Sequence, residues 1–399
     1  MKEWIGNEVN CLQNTKTLNS GIPLEFRMSE AVKVRNFHEK MPGYEKTDLV
    51  SLSNLAAKLH VKGIYVKDES DRFSLKAFKG LGGSYAMFRI LCEKLKLDPE
   101  NTSPRELIDI IRDNGDEKIE FATCTDGNHG KGVSWAAGVF GCKAHIFMPY
   151  GTIEARVEAI RKAGPADVVV TDMSYDDTVR YAKEQSEKNG WILIQDTSWE
   201  GYDQIPRWII QGYLTIAEEA VEDFEKRCLK PTHVFLQAGV GSMAGGILAC
   251  LTDHYGKEKP ITAIVEPVVA DCFYKSAKAD DGKPHSVEGA PVTIMAGLNC
   301  GTPCRLVWPI LRDHAEFYIS CTDVVAEEGM RAYAKGLDGD PKITSGGSGA
   351  ATLGALLRIL QDNGLTEVRK AMGFDNDSII FLINTEGDTD PDNYHSIVS

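Results

Sequence analysis

Ile119-Glu120-Phe121-Ala122-Thr123-Cys124-Thr125-Asp126-Gly127-Asn128-His129-Gly130-Lys131-Gly132 sets the architecture of this chain. The first six residues form a mostly apolar run of strand length. A turn of Thr, Asp and Gly follows, and helical periodicity then runs over 128–140 with Gly141 as its stop. The unit repeats: 144–148, 167–171 and 191–195 read as strands, with helices expected over 152–163 and 175–188 between them. Serial βαβ units predict a mostly parallel sheet covered by helices.

The same alternation extends outward. Upstream lies the apolar run Ile64-Tyr65-Val66; downstream come a long helix over 206–227, strands over 232–236 and 261–265, and a late strand over 378–383. Residues 279–290, rich in Asp, Gly and Pro, read as a loop. Two α/β lobes accommodate this many strands better than one sheet.

With 399 residues, 43% hydrophobic and 26% charged, the chain is ordinary for a globular protein. Its net charge of -14 argues against nucleic acid as a partner, which calls for clustered Lys and Arg. No apolar stretch reaches the length of a membrane span, and the N-terminal Met1-Lys2-Glu3-Trp4-Ile5-Gly6 shows no signal-like core, so a cytoplasmic location is expected. Ten cysteines without a Cys-x-x-Cys pair, and nine scattered histidines, predict no metal site. A small diffusing substrate is the expected partner.

Three segments carry chemistry. The turn at Thr125 to Asn128 sits at a strand end, where parallel sheets bind ligands, although Asp126 or Asn128 could serve simply as a helix cap. Gln237-Ala238-Gly239-Val240-Gly241-Ser242 joins a strand to a helix and suits a phosphate held by backbone N–H groups. Read as Gly-x-Gly-x-x-Ala, with Glu266 closing the next strand, it also fits a dinucleotide fingerprint and a nicotinamide-dependent dehydrogenase. The third segment, Ser74-Leu75-Lys76-Ala77-Phe78-Lys79-Gly80-Leu81-Gly82-Gly83, places an amine on a glycine-flanked turn. Desolvation there would lower the pKa of Lys79 and make it a nucleophile toward an aldehyde. A phosphate cup together with such a lysine points to pyridoxal phosphate, since a nicotinamide enzyme has no use for the lysine.

The motifs then resemble a family. Ser74 to Lys79 is similar to the lysine motif of fold type II pyridoxal-phosphate enzymes, the tryptophan synthase β and threonine dehydratase group, and Thr125-Asp126-Gly127-Asn128-His129 stands where that group has Ser-Gly-Asn-His. Lys67-Asp68-Glu69-Ser70, Gln195-Asp196-Thr197-Ser198-Trp199-Glu200-Gly201-Tyr202, Met295-Ala296-Gly297-Leu298 and Asn384-Thr385-Glu386-Gly387-Asp388-Thr389-Asp390 bring the resemblance closest to the 2,3-diaminopropionate ammonia-lyases.

That resemblance implies a large cofactor domain from 1–82 and 200–399, a smaller mobile domain over 83–199, and a homodimer. It implies that Lys79 holds the cofactor covalently and moves protons at the substrate Cα. Phe78 would flank the cofactor, Gly239, Val240, Gly241 and Ser242 would hold its phosphate, Asn128 its ring hydroxyl and Thr385 its pyridine nitrogen, with Ser345 and Ser348 as rivals for that last role. Substrate would meet Thr125, Asp126, Gly127, Asn128 and His129. Asp126 and Asp196 would favour a protonated amine as leaving group, with Asp126 taking the Cα proton of the D-isomer and Asp196 binding or deprotonating.

The implied reaction is α,β-elimination of 2,3-diaminopropionate, a step of amino-acid degradation. A serine or threonine dehydratase and a non-catalytic pyridoxal-binding protein are the alternatives. Gly347 departs from the family, which often carries a glutamate there. Cys272 and Cys300 follow cavity-lining segments and are expected to approach each other, as thiols or as a reversible disulfide.

Overall fold

The computed structural model describes all residues except 17, 19, 114–118, 288, 290 and 291. The described strands, in chain order, are β1 Lys2–Ile5, β2 Val9–Gln13, β3 Leu49–Ser51, β4 Gly63–Asp68, β5 Glu120–Cys124, β6 Lys143–Met148, β7 Ala166–Val170, β8 Ile192–Leu193, β9 His233–Gln237, β10 Ile261–Pro267, β11 Phe317–Cys321 and β12 Ile379–Asn384. They form two sheets. One is a parallel four-stranded sheet ordered β7-β6-β5-β8; the other has eight strands ordered β1-β2-β11-β10-β9-β12-β4-β3, parallel from β11 through β4 and antiparallel at both edges.

The central strands β9 and β12 are buried along their full length, which is why they read as unbroken apolar runs. Their register sets the site. Asn384 of β12 pairs with Asp68 of β4, and β9 lies on the other side of β12. The C-terminal ends of three adjacent strands therefore release the loops to Lys79, Thr385 and Gly239. In the smaller sheet, neighbouring β5 and β8 end just before Thr125 and Asp196. The two sets of loops meet, as ligand sites of parallel sheets do.

Three helices hold this meeting place together. Helix Gly80–Leu95 packs on Gln204–Lys226 and on Asn128–Val139. The approach needs glycine: a Cβ on Gly212 would lie 2.5 Å from the Leu81 carbonyl oxygen, and one on Gly132 would lie 2.8 Å from the Lys79 carbonyl carbon.

Most predicted elements occur with ends moved by a residue or two. The strand expected over 191–195 shrinks to two residues, because the Gln195 N–H donates to Tyr202 Oη at 2.8 Å instead of to a neighbouring strand. The loop expected over 279–290 begins after helix Cys272–Ala279; residues 288 and 290 of it lie outside the described residues. The hairpin of β1 and β2, strand β11 and helices Asp323–Lys335 and Gly347–Gln361 are additions to the sequence reading. No described helix is long and apolar enough to cross a membrane.

Candidate active site

The segment from β4 to Lys79 is bent sharply. Phe73, Ser74 and Lys76 all have left-handed φ values of 54°, 57° and 53°, which non-glycine residues adopt at a cost. A buried ion cluster beneath it holds the bend. The Arg72 guanidinium donates to both oxygens of Glu69, at 2.8 and 2.7 Å, and to both oxygens of Glu219, at 2.9 and 2.7 Å. Lys67 Nζ lies 2.6 Å from Glu219, and these side chains have no exposed surface. Two cations thus face two carboxylates. Beyond the bend, the Phe78 N–H donates to the Thr385 carbonyl at 3.3 Å and the Gly387 N–H to the Lys76 carbonyl at 3.1 Å, tying the loop to the exit of β12.

Lys79 then points its amine at Asp196, with Nζ 2.6 Å from Oδ2, above the rings of Phe78 and Tyr213. This corrects the expected direction of its pKa. Burial alone pulls the amine down, but the Asp196 charge more than offsets it and leaves Lys79 above the ordinary lysine value. Asp196 is complementary: burial raises its carboxyl, while Lys79 first and His129 second hold it at about 2.

The Gln195 to Tyr202 block earns its length structurally. Trp199 and Tyr202 stack at 4.3 Å, Tyr202 Oη donates to the Leu193 carbonyl, and the Gln195 side-chain carbonyl accepts from Thr123 Oγ1 and the Cys124 N–H. Asp196 is clamped on both sides.

In the turn after β5, Thr125 Oγ1 accepts from the N–H groups of Gly127 and Gly130 at 2.9 and 3.0 Å, so Thr125, two residues before the cap position at Gly127, satisfies a donor in the first turn of helix Asn128–Val139. Gly127 has φ 151°, which favours glycine. Burial raises Asp126 to about 7; Arg156 opposes the rise and Asp196 adds to it. Asn128 Nδ2 donates to Glu386 at 2.6 Å. His129 Nε2–H donates to the Ile194 carbonyl at 2.8 Å and its Nδ1 faces Asp196 at 3.9 Å, so the ring braces the Asp196 side of the cleft.

The third loop forms a cradle. Among the described residues the N–H groups of Gly239, Val240 and Gly241 have no protein acceptor, and helix Ser242–Tyr255 starts directly beneath them. Gly241 has φ 86°, and a Cβ there would lie 2.3 Å from the Phe273 ring. Ser242 Oγ donates to the Asp196 carbonyl at 2.9 Å, joining the cradle to the lysine pair. Phe78, Lys79, Asn128, the cradle residues, Ser348 and Thr385 line one cavity; Thr125, Asp126, Gly127, His129, Arg156 and Tyr175 line the cleft that opens beside it, and Lys79, Asn128 and Asp196 belong to both. Orphan N–H donors at a helix start suit a phosphate, and an amine and a hydroxyl at the far walls suit an aldehyde and a ring nitrogen. The residues present fit pyridoxal phosphate.

Several sequence readings change here. Glu266 accepts from the Phe273 and Tyr274 N–H groups at 2.8 and 2.7 Å, so it caps helix Cys272–Ala279 and reaches no ribose. Ser345 Oγ donates to the Gly346 carbonyl and lies outside the cavity lining, whereas Ser348 and Thr385 line it. A Cβ on Gly347 would lie 2.8 Å from the Ile294 carbonyl oxygen, so no glutamate fits there. The carboxylate next to that loop comes from Glu386, which accepts from the Ser348 N–H at 3.1 Å. Cys272 and Cys300 are adjacent, with Sγ of the first 3.8 Å from the carbonyl oxygen of the second, and do not form a disulfide.

Of the lining residues that the sequence did not single out, four have titratable side chains. Lys131 follows Asn128 by three positions on the same helical face, and burial lowers its amine to about 8; Glu386 sits beside Thr385. Arg156 and Tyr175 lie on helices with no local signal.

Residues 40–370 match the family of pyridoxal-phosphate dependent enzymes. The chain is 46% identical over 387 residues to a diaminopropionate ammonia-lyase of Escherichia coli K12, covering 97% of this chain and 96% of that one. The crystal structure of Escherichia coli diaminopropionate ammonia lyase in complex with D-serine superposes with a TM-score of 0.92 at 45% identity, covering 98% and 97% of the two chains. That of the same enzyme in complex with an aminoacrylate-PLP azomethine reaction intermediate gives 0.90 at 45% identity over 98% and 97%. The match over most of the chain, on a site whose cradle and amine already suit the cofactor, leaves one conclusion: the chain belongs to the pyridoxal-phosphate dependent enzyme family and groups there with the diaminopropionate ammonia-lyases.

Proposed function

We propose that the enzyme eliminates ammonia from 2,3-diaminopropionate, and the observation that carries the reading is the placement of two aspartates, Asp126 and Asp196, on the cleft wall beside Lys79. Bound pyridoxal phosphate supplies the electron sink for the carbanion at the substrate Cα. Lys79 holds the cofactor, Gly239, Val240, Gly241 and Ser242 take its phosphate, Asn128 its ring hydroxyl, and Thr385 its nitrogen, with Phe78 against it. Once the substrate amine has taken its place on the cofactor, the freed Lys79 amine receives the Cα proton on one face, or Asp126 receives it on the other. The Cα–H electron pair forms the Cα=Cβ bond as the Cβ–N bond breaks, and the amine departs as ammonia, kept protonated by the anionic Asp196. The enamine product hydrolyses to pyruvate and a second ammonia.

The turn at Thr125, Gly127 and Asn128 offers the Thr125 O–H and the Asn128 N–H to the substrate carboxylate, with His129 bracing Asp196. We also propose that the lobe of 83–199 closes on that of 1–82 and 200–399 to exclude water, and that the enzyme is a cytoplasmic homodimer, for which light scattering should give twice the 43.9 kDa chain mass. Assay of pyruvate and ammonia from D- and L-diaminopropionate, serine and threonine tests the substrate. Diaminopropionate should be preferred, with two ammonia per pyruvate; faster turnover of serine or threonine would make it a dehydratase.

A further inference from the structure

Gln237 ends β9 immediately before the cradle and is buried. Its Nε2 lies 2.8 Å from the Ile383 carbonyl oxygen, 3.2 Å from that of Ser348 and 3.2 Å from Thr385 Oγ1. The two carbonyls can only accept, so they fix which end of the amide faces them. A reversed amide would press its oxygen against both. With two hydrogens for three acceptors, Nε2 gives one N–H to the Ile383 carbonyl and shares the other between the Ser348 carbonyl and Thr385 Oγ1, which can only accept from it.

The other end of the amide is unusual. Gln237 Oε1 is buried without a hydrogen-bond partner, at a cost of burial that packing alone does not justify. An apolar side chain of the same length would fill the space without that cost. What it would not do is hand Thr385 a donor.

From this we infer that Gln237 is a positioning residue: by donating to Thr385 Oγ1 it occupies one lone pair of the hydroxyl and turns the Thr385 O–H outward into the cofactor cavity, where its proton needs an acceptor, and so favours an uncharged ring nitrogen. The inference rests on the proposed role of Thr385 as partner of that nitrogen. A hydroxyl that already accepts from Gln237, and finds no other described acceptor for its proton, has that proton to offer. A protonated ring nitrogen would bring a second donor to the same hydroxyl. The uncharged ring withdraws electrons less, which suits expulsion of a β-leaving group from a short-lived carbanion over reactions that need a long-lived one.

The test is the 15N chemical shift of the pyridine nitrogen in enzyme loaded with 15N-labelled pyridoxal phosphate, a readout independent of turnover. Wild type should show the unprotonated position across pH 6–8. Gln237→Glu has an acceptor facing Thr385, reverses the hydroxyl, and should move the signal toward the pyridinium position; Gln237→Met removes the donor and should move it part-way. Thr385→Val separates the two claims. If it leaves the wild-type signal unmoved, Thr385 is not the nitrogen's partner and the underlying assignment falls. If Thr385→Val moves the signal but neither Gln237 variant does, the role of Gln237 is overturned. A protonated nitrogen in wild type overturns it as well. Should Gln237→Glu fail to fold, Gln237→Met decides.

Discussion

Replacing Arg72 with Met should unsettle both the fold and the lysine loop. Arg72 makes six hydrogen bonds: four to Glu69 and Glu219, one to the Glu45 carbonyl and one to Thr47 Oγ1. Without it, Lys67 alone faces two carboxylates, and the fully buried cluster carries one uncompensated negative charge. Truncating one side of such a cluster costs about 3–5 kcal/mol, a large share of the roughly 5–15 kcal/mol that stabilises a typical protein. A second consequence follows for Phe73, Ser74 and Lys76. Their left-handed backbone costs about 1–2 kcal/mol each, and the Arg72 bonds help to offset it. Released, the loop lets Lys79 drift, and an ångström of misplacement lowers turnover about 100-fold. Urea denaturation monitored by fluorescence and circular dichroism reads the first effect, and pyruvate release by the loaded enzyme reads the second. Adding Glu219→Gln to Arg72→Met removes the surplus charge and should recover about 1 kcal/mol or more relative to Arg72→Met alone. Stability within about 1 kcal/mol of wild type, with turnover retained, would refute the reasoning.

The other predictions follow from single contacts. Asp126→Asn should abolish turnover of one diaminopropionate enantiomer and spare the other, and losses of equal size would contradict the division of labour. For the affected enantiomer, wild-type kcat/KM should climb with pH up to about 7 and level off above it, because the buried Asp126 carboxyl must lose its proton before it can accept one. Gly241→Ala places a methyl group 2.3 Å from the Phe273 ring and forces φ 86° on an alanine; cofactor affinity, read by fluorescence titration, should fall about tenfold or more for even one lost charged hydrogen bond. Asp196→Asn strips the buried Lys79 ammonium of its partner at 2.6 Å. Its pKa should then fall as burial goes unopposed, and thermal melting should drop more in cofactor-free enzyme than in loaded enzyme, where the amine is covalently engaged.

The readable part of the molecule was its strand ends. The turns after β4, β5 and β9 each carry local chemistry, a lysine before glycines, a Thr-Asp-Gly-Asn turn and a glycine cradle, and short-range rules suffice to place them between strand and helix. What stayed hidden depends on partners far apart in the chain. The pKa of Lys79 is set by Asp196, 117 residues later, so the expectation of a lowered value had the burial right and the neighbour missing. Glu266 resembled a ribose ligand until the N–H groups of Phe273 and Tyr274 claimed it. At Gly347 the missing glutamate looked like a lost contact, yet Glu386 brings a carboxylate to the same loop from the exit of β12. Arg72 shows no role in the sequence; its role appears when Glu219, on helix Gln204–Lys226, folds over it.

The central claim is that Lys79 is the amine that holds the cofactor. Enzyme loaded with pyridoxal phosphate can be treated with borohydride, which makes the bond between amine and cofactor permanent, then digested and analysed by peptide mass spectrometry. The modification should fall on the peptide carrying Lys79 and disappear from it in Lys79→Ala. Modification of the peptide carrying Lys131, the other buried amine of the cleft, with Lys79 untouched would contradict the account.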